Sequence, residues 1–399
     1  MKWQTLPAKE FKRRLSTIRN SMKASEIEAL LIFGGGGTST GNVRYVSNWY
    51  SNSIYNQSLL LLPVDEDPIL FIRLQPYRAK QLSWITDIRQ SGRTGHIAFV
   101  DDCETELKKM HLSKSKIGLV GNPDETWREI AGDKLKRRLP KASFVEGDAI
   151  LSSLRIIKST AEIDMMRHTC LLVDLSLSEF KNCLKEGKTD FQALGAGEFV
   201  ARSKGAEEML NFLGVSKQGM FVPPISLASP SGRNLWHGDV VIVEFNECVS
   251  GYRSESLRMA SLGQPNKEEN SIFEAAYDCY ETVLKSAKPG RTIGEAVSEG
   301  IKVLGKLGYP AGEYVSKTHS SDVLLGHGIG LDMFEPPLLG ANSETVFEPG
   351  MTFVLHPGIF GAYAGKRWGA LIGETIHITE SGAEPIFKSK WSVGDFAAV

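Results

Sequence analysis

Four segments in the second half of the chain carry residues suited to chemistry. The first reads Gly238-Asp239-Val240-Val241-Ile242-Val243-Glu244 and returns as Gly251-Tyr252-Arg253-Ser254-Glu255. Glu244 closes an apolar run, where a carboxylate is costly unless it is paired or functional. Glu255 follows eleven residues later on the return strand, so the two carboxylates can converge across a hairpin. The plainer alternative is one buried and one solvated glutamate. The second segment, Leu325-Gly326-His327-Gly328, sets a histidine among small residues, with Phe334 and Glu335 close behind. The third, Thr352-Phe353-Val354-Leu355-His356, is an apolar strand ending in a histidine, and the fourth, Ile372-Gly373-Glu374-Thr375-Ile376, places Glu374 in a strand. A lone histidine is commonly a satisfied core residue. Together, carboxylates and imidazoles form a general acid–base set.

The elements that must position these groups are legible from periodicity and end signals. Residues 239–248, 251–262, 351–360 and 370–379 are β-prone. Ile157-Lys158-Ser159-Thr160 followed by Glu162 is an N-cap signal for a long helix, and a second helix is expected after Thr189-Asp190. Two more are expected over about 267–288 and 293–307, ended by Gly and Pro. Strands and helices in blocks indicate an α+β arrangement with an antiparallel sheet flanked by helices. Residues 8–27 have the spacing of an amphipathic helix. Strand-like runs at 29–33, 58–63, 68–72, 116–120 and 143–145 alternate with helical stretches, which predicts an α/β domain over residues 1–155 before the α+β domain at 156–399. Gly34 to Gly37 follow a strand, but no Gly-Lys-Ser/Thr follows them, so they read as a turn and not a phosphate loop.

A chain of 399 residues suits two domains. A formal net charge of −1 and the lack of basic runs give no reason to expect nucleic acid or an anionic membrane as partner. No window approaches the ~18 consecutive apolar residues of a membrane span. The charged start lacks the pattern of a secretory signal. Five scattered cysteines (Cys103, Cys170, Cys183, Cys248, Cys279) read as reduced thiols, and the location expected is cytoplasmic.

The order and spacing of the four segments resemble the creatinase, prolidase and methionine aminopeptidase family. That resemblance implies a C-terminal pita-bread fold after a creatinase-type N-terminal domain, and a homodimer. The family's dinuclear metal site uses two Asp, a His and two Glu. Glu244 stands at the first Asp position, and Glu255 at the second, within Gly251-Tyr252-Arg253-Ser254-Glu255. His327 stands at the His position, His356 at the first Glu and Gly373 at the second, while Phe334 replaces a further family histidine. The histidine that creatinase uses ahead of the first Asp position falls near Leu227. The set of donors needed at ~2.0–2.2 Å is therefore incomplete, and the expectation is an enzyme with no metal or cofactor, one Zn²⁺ being the most the retained donors would hold.

A pocket that keeps Glu244, Glu255 and Glu374 without metal suits a small substrate that brings a delocalised cation, such as a cyclic amidine. On that reading Glu255 is nucleophile or base, Glu244 or Glu374 holds the amidine N–H groups, and His327 and His356, titrating near neutrality, shuttle the proton. Phe334 and Trp236 would contact the cation, with Glu335 beside them. Trp49 and Tyr55 are the candidates to close a neighbouring subunit's site. The competing readings are a metal-dependent Xaa-Pro peptidase or dipeptidase, a lyase on a dimethylsulfonio compound, and a non-catalytic module that binds peptides or ligands in the old cleft.

Overall fold

A computed structural model describes residues 6–34, 41–50, 57–91, 96–121, 126–217, 229–309, 323–363 and 366–388. Tyr55 and Leu227 lie outside the described residues. The chain divides into two compact units, Thr5–Arg155 and Ile156–Val399.

The N-terminal unit is built on a six-stranded mixed sheet, in the order Asp87–Gln90, Ile69–Ile72, Ser58–Pro63, Ala29–Gly34, Lys116–Val120, Ser143–Glu146. Its central strands, Ala-Leu-Leu-Ile-Phe-Gly and Ser-Leu-Leu-Leu-Leu-Pro, are buried along their whole length, as near-continuous apolar runs require. The edge strand Asp87–Gln90 has no apolar run and escapes prediction from sequence; it pairs in parallel with Ile69–Ile72.

The C-terminal unit has the pita-bread architecture. Its nine-stranded sheet runs Glu335–Gly340, Leu324–Gly328, Thr352–Leu355, Gly373–Thr379, Tyr252–Ser261, Asp239–Val249, Glu208–Met209, with Gly382–Pro385 on Gly373–Thr379 and Phe212–Lys217 on Asp239–Val249. The pairings among these strands are antiparallel. Side chains alternate across a strand, so each of these strands divides into two sets. One set of the central hairpin packs on helices. Val241, Val243 and Phe245 join a core with Cys170 and Val173, and Tyr252 Oη donates to Glu162 at 2.8 Å. A buried Phe contributes roughly 1.5–3 kcal/mol. The other set, with Glu244 and Glu255 in it, lies on the opposite face of the sheet, the cleft face of this fold.

The four described helices of this unit start at capping boxes: Ser159 with Glu162, Thr189 with Gln192, Asn266 with Glu269, and Thr292 with Glu295. Each pair satisfies two backbone N–H groups that a helix start leaves open, which fixes where the helix begins. The β-prone stretches 351–360 and 370–379 each divide. Thr352–Leu355 is followed after His356-Pro357 by Gly358–Tyr363, and Lys366–Leu371 precedes Gly373–Thr379. Pro357 has no N–H to give the ladder, which ends the first strand at the histidine. The five cysteines form no disulfide, and no described helix is long and apolar enough to cross a membrane.

Candidate active site

The hairpin sets the site. Leu257 lies opposite Glu244 and Glu255 opposite Asn246 in the antiparallel ladder, so Glu244, Asn246 and Glu255 share one face. Asn246 Nδ2 donates to Glu255 Oε2 at 3.0 Å. Thr375 pins the glutamate's backbone: its Oγ1 accepts from Glu255 N at 2.9 Å and donates to Glu255 O at 3.1 Å. Both partners were open to sequence reasoning, since each is a polar residue at the cleft-facing parity of an apolar strand.

The two histidines come from neighbouring strands. His327 pairs with Val354, and His356 lies two residues beyond Val354, so both imidazoles face the carboxylates. The rings are 5.1 Å apart, edge to face. His327 Nδ1 lies 3.0 Å from Gly328 O; a proton on Nδ1 donates to that carbonyl and leaves Nε2 as an acceptor. Phe334 stacks on His327 with centroids 3.7 Å apart and is otherwise 58% exposed, so its outer face is open to a ligand. The small residues beside His327 answer a backbone constraint: a Cβ on Gly326 would lie 2.0 Å from Val354 O. Ligand atoms of Glu255, His327 and His356 all lie within 4.8 Å of one another.

Burial sets the charge states. It pushes Glu255 up to about 7, partly offset by the Asn246 hydrogen bond and by Arg253. Glu244 is raised well above the ordinary carboxylate range by burial and then by the charge of Glu255. The pair therefore holds a proton near neutrality, with Glu255 the readier to ionise. Burial also lowers His327 to about 3, aided by His356, and His356 to about 4. Neither titrates near neutrality, which corrects the expectation of a histidine proton shuttle: desolvation penalises the imidazolium, and both rings stay neutral.

The sign of the resulting pH dependence is fixed. A carboxyl whose pKa is raised in the fold adds stability that is complete below its unfolded value and lost as pH rises through its folded value. In chelated protein, wild type should therefore lose melting temperature relative to Glu244→Gln as pH goes from about 5 to about 8. A constant difference across that window would show that Glu244 is not held protonated. The histidines act in the opposite sense, since their contribution is present above the unfolded histidine pKa and lost toward acid.

The other expected site residues lie elsewhere. Glu374 sits at the opposite parity to Gly373. Tyr280 Oη donates to its Oε1 at 2.8 Å and Arg258 pairs with its Oε2, so it is bound on the helix side and not turned to the cleft. Period-two alternation was the signal for this. Glu335 is consumed in a buried ion pair with Lys158 at 3.0 Å and accepts from Asp332 N at 3.0 Å, which leaves it no role as a free substrate contact. Trp236 is half exposed on the turn into Asp239–Val249 and makes no hydrogen bond or ring contact to the glutamate–histidine group among the described residues. Trp49, in the N-terminal unit, is buried at 2% exposure and so is not presented to a neighbouring subunit. Arg253, on the cleft face, was not anticipated; it pairs with Glu208 and is buried.

The dinuclear centre implied by the resemblance does not fit these residues. A Cβ on Gly373 would lie 2.1 Å from Leu355 O, 2.5 Å from His356 Cα and 2.7 Å from His356 Cβ. The backbone before His356 occupies the space that a ligand at 373 would cross. Gly373→Ala should cost roughly 1–3 kcal/mol by overpacking, read as a lowered denaturation midpoint. An unchanged midpoint would show that the space exists.

Residues 164–380 match metallopeptidase family M24, and residues 14–157 match the creatinase/prolidase N-terminal domain. The Xaa-Pro dipeptidase of Pyrococcus horikoshii is 29% identical over 258 residues, covering 65% of this chain and 70% of the relative. The uncharacterized peptidase YqhT of Bacillus subtilis is 29% identical over 391 residues, covering 94% and 98%. Among solved structures, the prolidase from Pyrococcus horikoshii superposes with a TM-score of 0.78 at 25% identity, over 96% of this chain and 99% of that one. The X-Pro aminopeptidase from Thermotoga maritima gives 0.80 at 21%, over 96% and 99%, and shares the fold.

Proposed function

This chain is a hydrolase belonging to metallopeptidase family M24, and we propose that it cleaves a C–N bond in small amide substrates of the Xaa-Pro dipeptide class. The observation that carries the reading is the buried glutamate pair on the cleft face beside two neutral imidazoles. Its relatives named for Xaa-Pro dipeptide cleavage support the substrate class.

The pair divides acid and base between its members. Glu255, held by Asn246, is the carboxylate that takes a proton from water as the oxygen attacks the amide carbon. Glu244, kept protonated by burial and by its neighbour's charge, gives its proton to the leaving nitrogen. One C–O bond forms, the C–N bond breaks, and the two carboxyls have exchanged protonation states. His327 is oriented by Gly328 O, and Phe334 offers the outer face of its ring to the substrate. A panel of Xaa-Pro dipeptides, with release of proline followed by NMR, tests this. Turnover of several members is expected, and none with or without added Zn²⁺ or Mn²⁺ would sink it.

A second reading, hydrolysis of the cyclic amidine ectoine to N-acetyl-2,4-diaminobutyrate, is favoured by one observation. Among the described residues no basic side chain pairs with Glu244, so an amidinium would find a carboxyl without a cationic partner beside an aromatic face. Ring opening in the same NMR assay would support it. The unit boundary near residue 155 as a domain border, a homodimer and a cytoplasmic location complete the proposal. Light scattering on the full chain tests the dimer, and a monomer would remove it.

A further inference from the structure

We propose that the cleft binds a single transition-metal ion through Glu255, His327 and His356, in place of two. The inference rests on the hydrolase reading only in that it concerns the same cleft. Three strands deliver the donors from one face: the hairpin return strand gives the carboxylate, and two neighbouring strands give the imidazoles. All three ligand atoms lie within 4.8 Å of one another, so small side-chain rotations bring them around one ion.

The supporting contacts have the form that a metal site requires. His327 Nδ1 is engaged by Gly328 O at 3.0 Å, which presents Nε2, and Asn246 holds Glu255 Oε2 at 3.0 Å while the other oxygen stays available. Phe334 covers one face of the His327 ring. Two imidazoles and one carboxylate form a borderline nitrogen-rich set that suits Zn²⁺, Co²⁺ or Ni²⁺ and not Mg²⁺ or Ca²⁺, with further positions left open to substrate.

A second ion has no bridge. Gly373 has no side chain, and the Leu355 carbonyl stands 2.1 Å from where its Cβ would be. The neighbouring Glu374 is turned to Arg258 and Tyr280 on the far face. His356 stands where the resemblance places one carboxylate ligand and Gly373 where it places the other, and the donors that remain together are Glu255, His327 and His356.

The test is a titration of chelated full-length protein with Zn²⁺ by calorimetry, with elemental analysis after gel filtration and the visible spectrum of the Co²⁺ form. One ion per chain is expected, with four- or five-coordinate Co²⁺ absorption. His356→Ala and His327→Ala should each weaken binding by more than about 100-fold, beyond the about 10- to 100-fold expected for the supporting Asn246→Ala. His356→Gln, closer in size, guards against a folding defect, and circular dichroism checks each variant. Two ions per chain, no binding, or binding indifferent to His356 in a folded variant would overturn the proposal. One ion bound without dipeptide turnover would uphold it while removing the peptidase reading. Turnover by protein that binds no ion would do the reverse.

Discussion

In chelated protein, Glu255→Gln should lower kcat by about 100- to 10,000-fold, the range contributed by a positioned general base, with a much smaller change in KM. The substitution removes the charge and keeps the shape. Glutamine can offer its carbonyl oxygen to Asn246 Nδ2, and Thr375 still holds the backbone at 2.9 and 3.1 Å. The fold should therefore survive. Removing a buried carboxylate from the raised pair also relieves repulsion with Glu244, so melting temperature above neutral pH should hold or rise. A loss of activity with an unimpaired fold separates a chemical role from a structural one. Wild-type kcat in the folded variant, on whichever amide substrate the enzyme turns over, would remove Glu255 from the mechanism.

The largest effect on stability should come from Lys158→Met. Lys158 Nζ lies 3.0 Å from Glu335 Oε2, with the two side chains 3% and 5% exposed. Glu335 Oε1 also accepts from Asp332 N at 3.0 Å, and Lys158 N donates to Gly350 O at 2.9 Å. Deleting the ammonium leaves a carboxylate facing an apolar side chain, and breaking a buried pair from one side costs about 3–5 kcal/mol. The double variant Lys158→Met, Glu335→Leu should recover much of that loss, because both desolvation penalties vanish together. The segment the pair ties down carries Phe334, which stacks on His327, so Lys158→Met should raise KM as well. Urea denaturation measures the first effect. A shift below about 1 kcal/mol would place the pair among those screened by solvent.

Much of the C-terminal unit is legible in the sequence because the signals are local. The capping boxes at Ser159, Thr189, Asn266 and Thr292 are satisfied within a single helical turn, so the residues that announce each helix also make its bonds. The tight turn at Ser250-Gly251 fixes the hairpin register, and alternation then puts Glu244 and Glu255 on one face whatever else the chain does. The order of the four segments carried the family, and the absence of a side chain at Gly373 already spoke against two metal ions.

What only the tertiary structure decided are the properties set by distant neighbours. Arg258 and Tyr280 claim Glu374 from another strand and a helix, and Lys158 reaches Glu335 across 177 residues, so two carboxylates that looked free are structural. The histidines carry no mark in the sequence of how far their pKa values fall. That depends on how completely the surrounding strands and Phe334 exclude water, a sum over the whole packed neighbourhood. Spacing along a strand assigns a face to each residue. The partners waiting on that face, and the solvent they leave behind, are settled when the sheet closes.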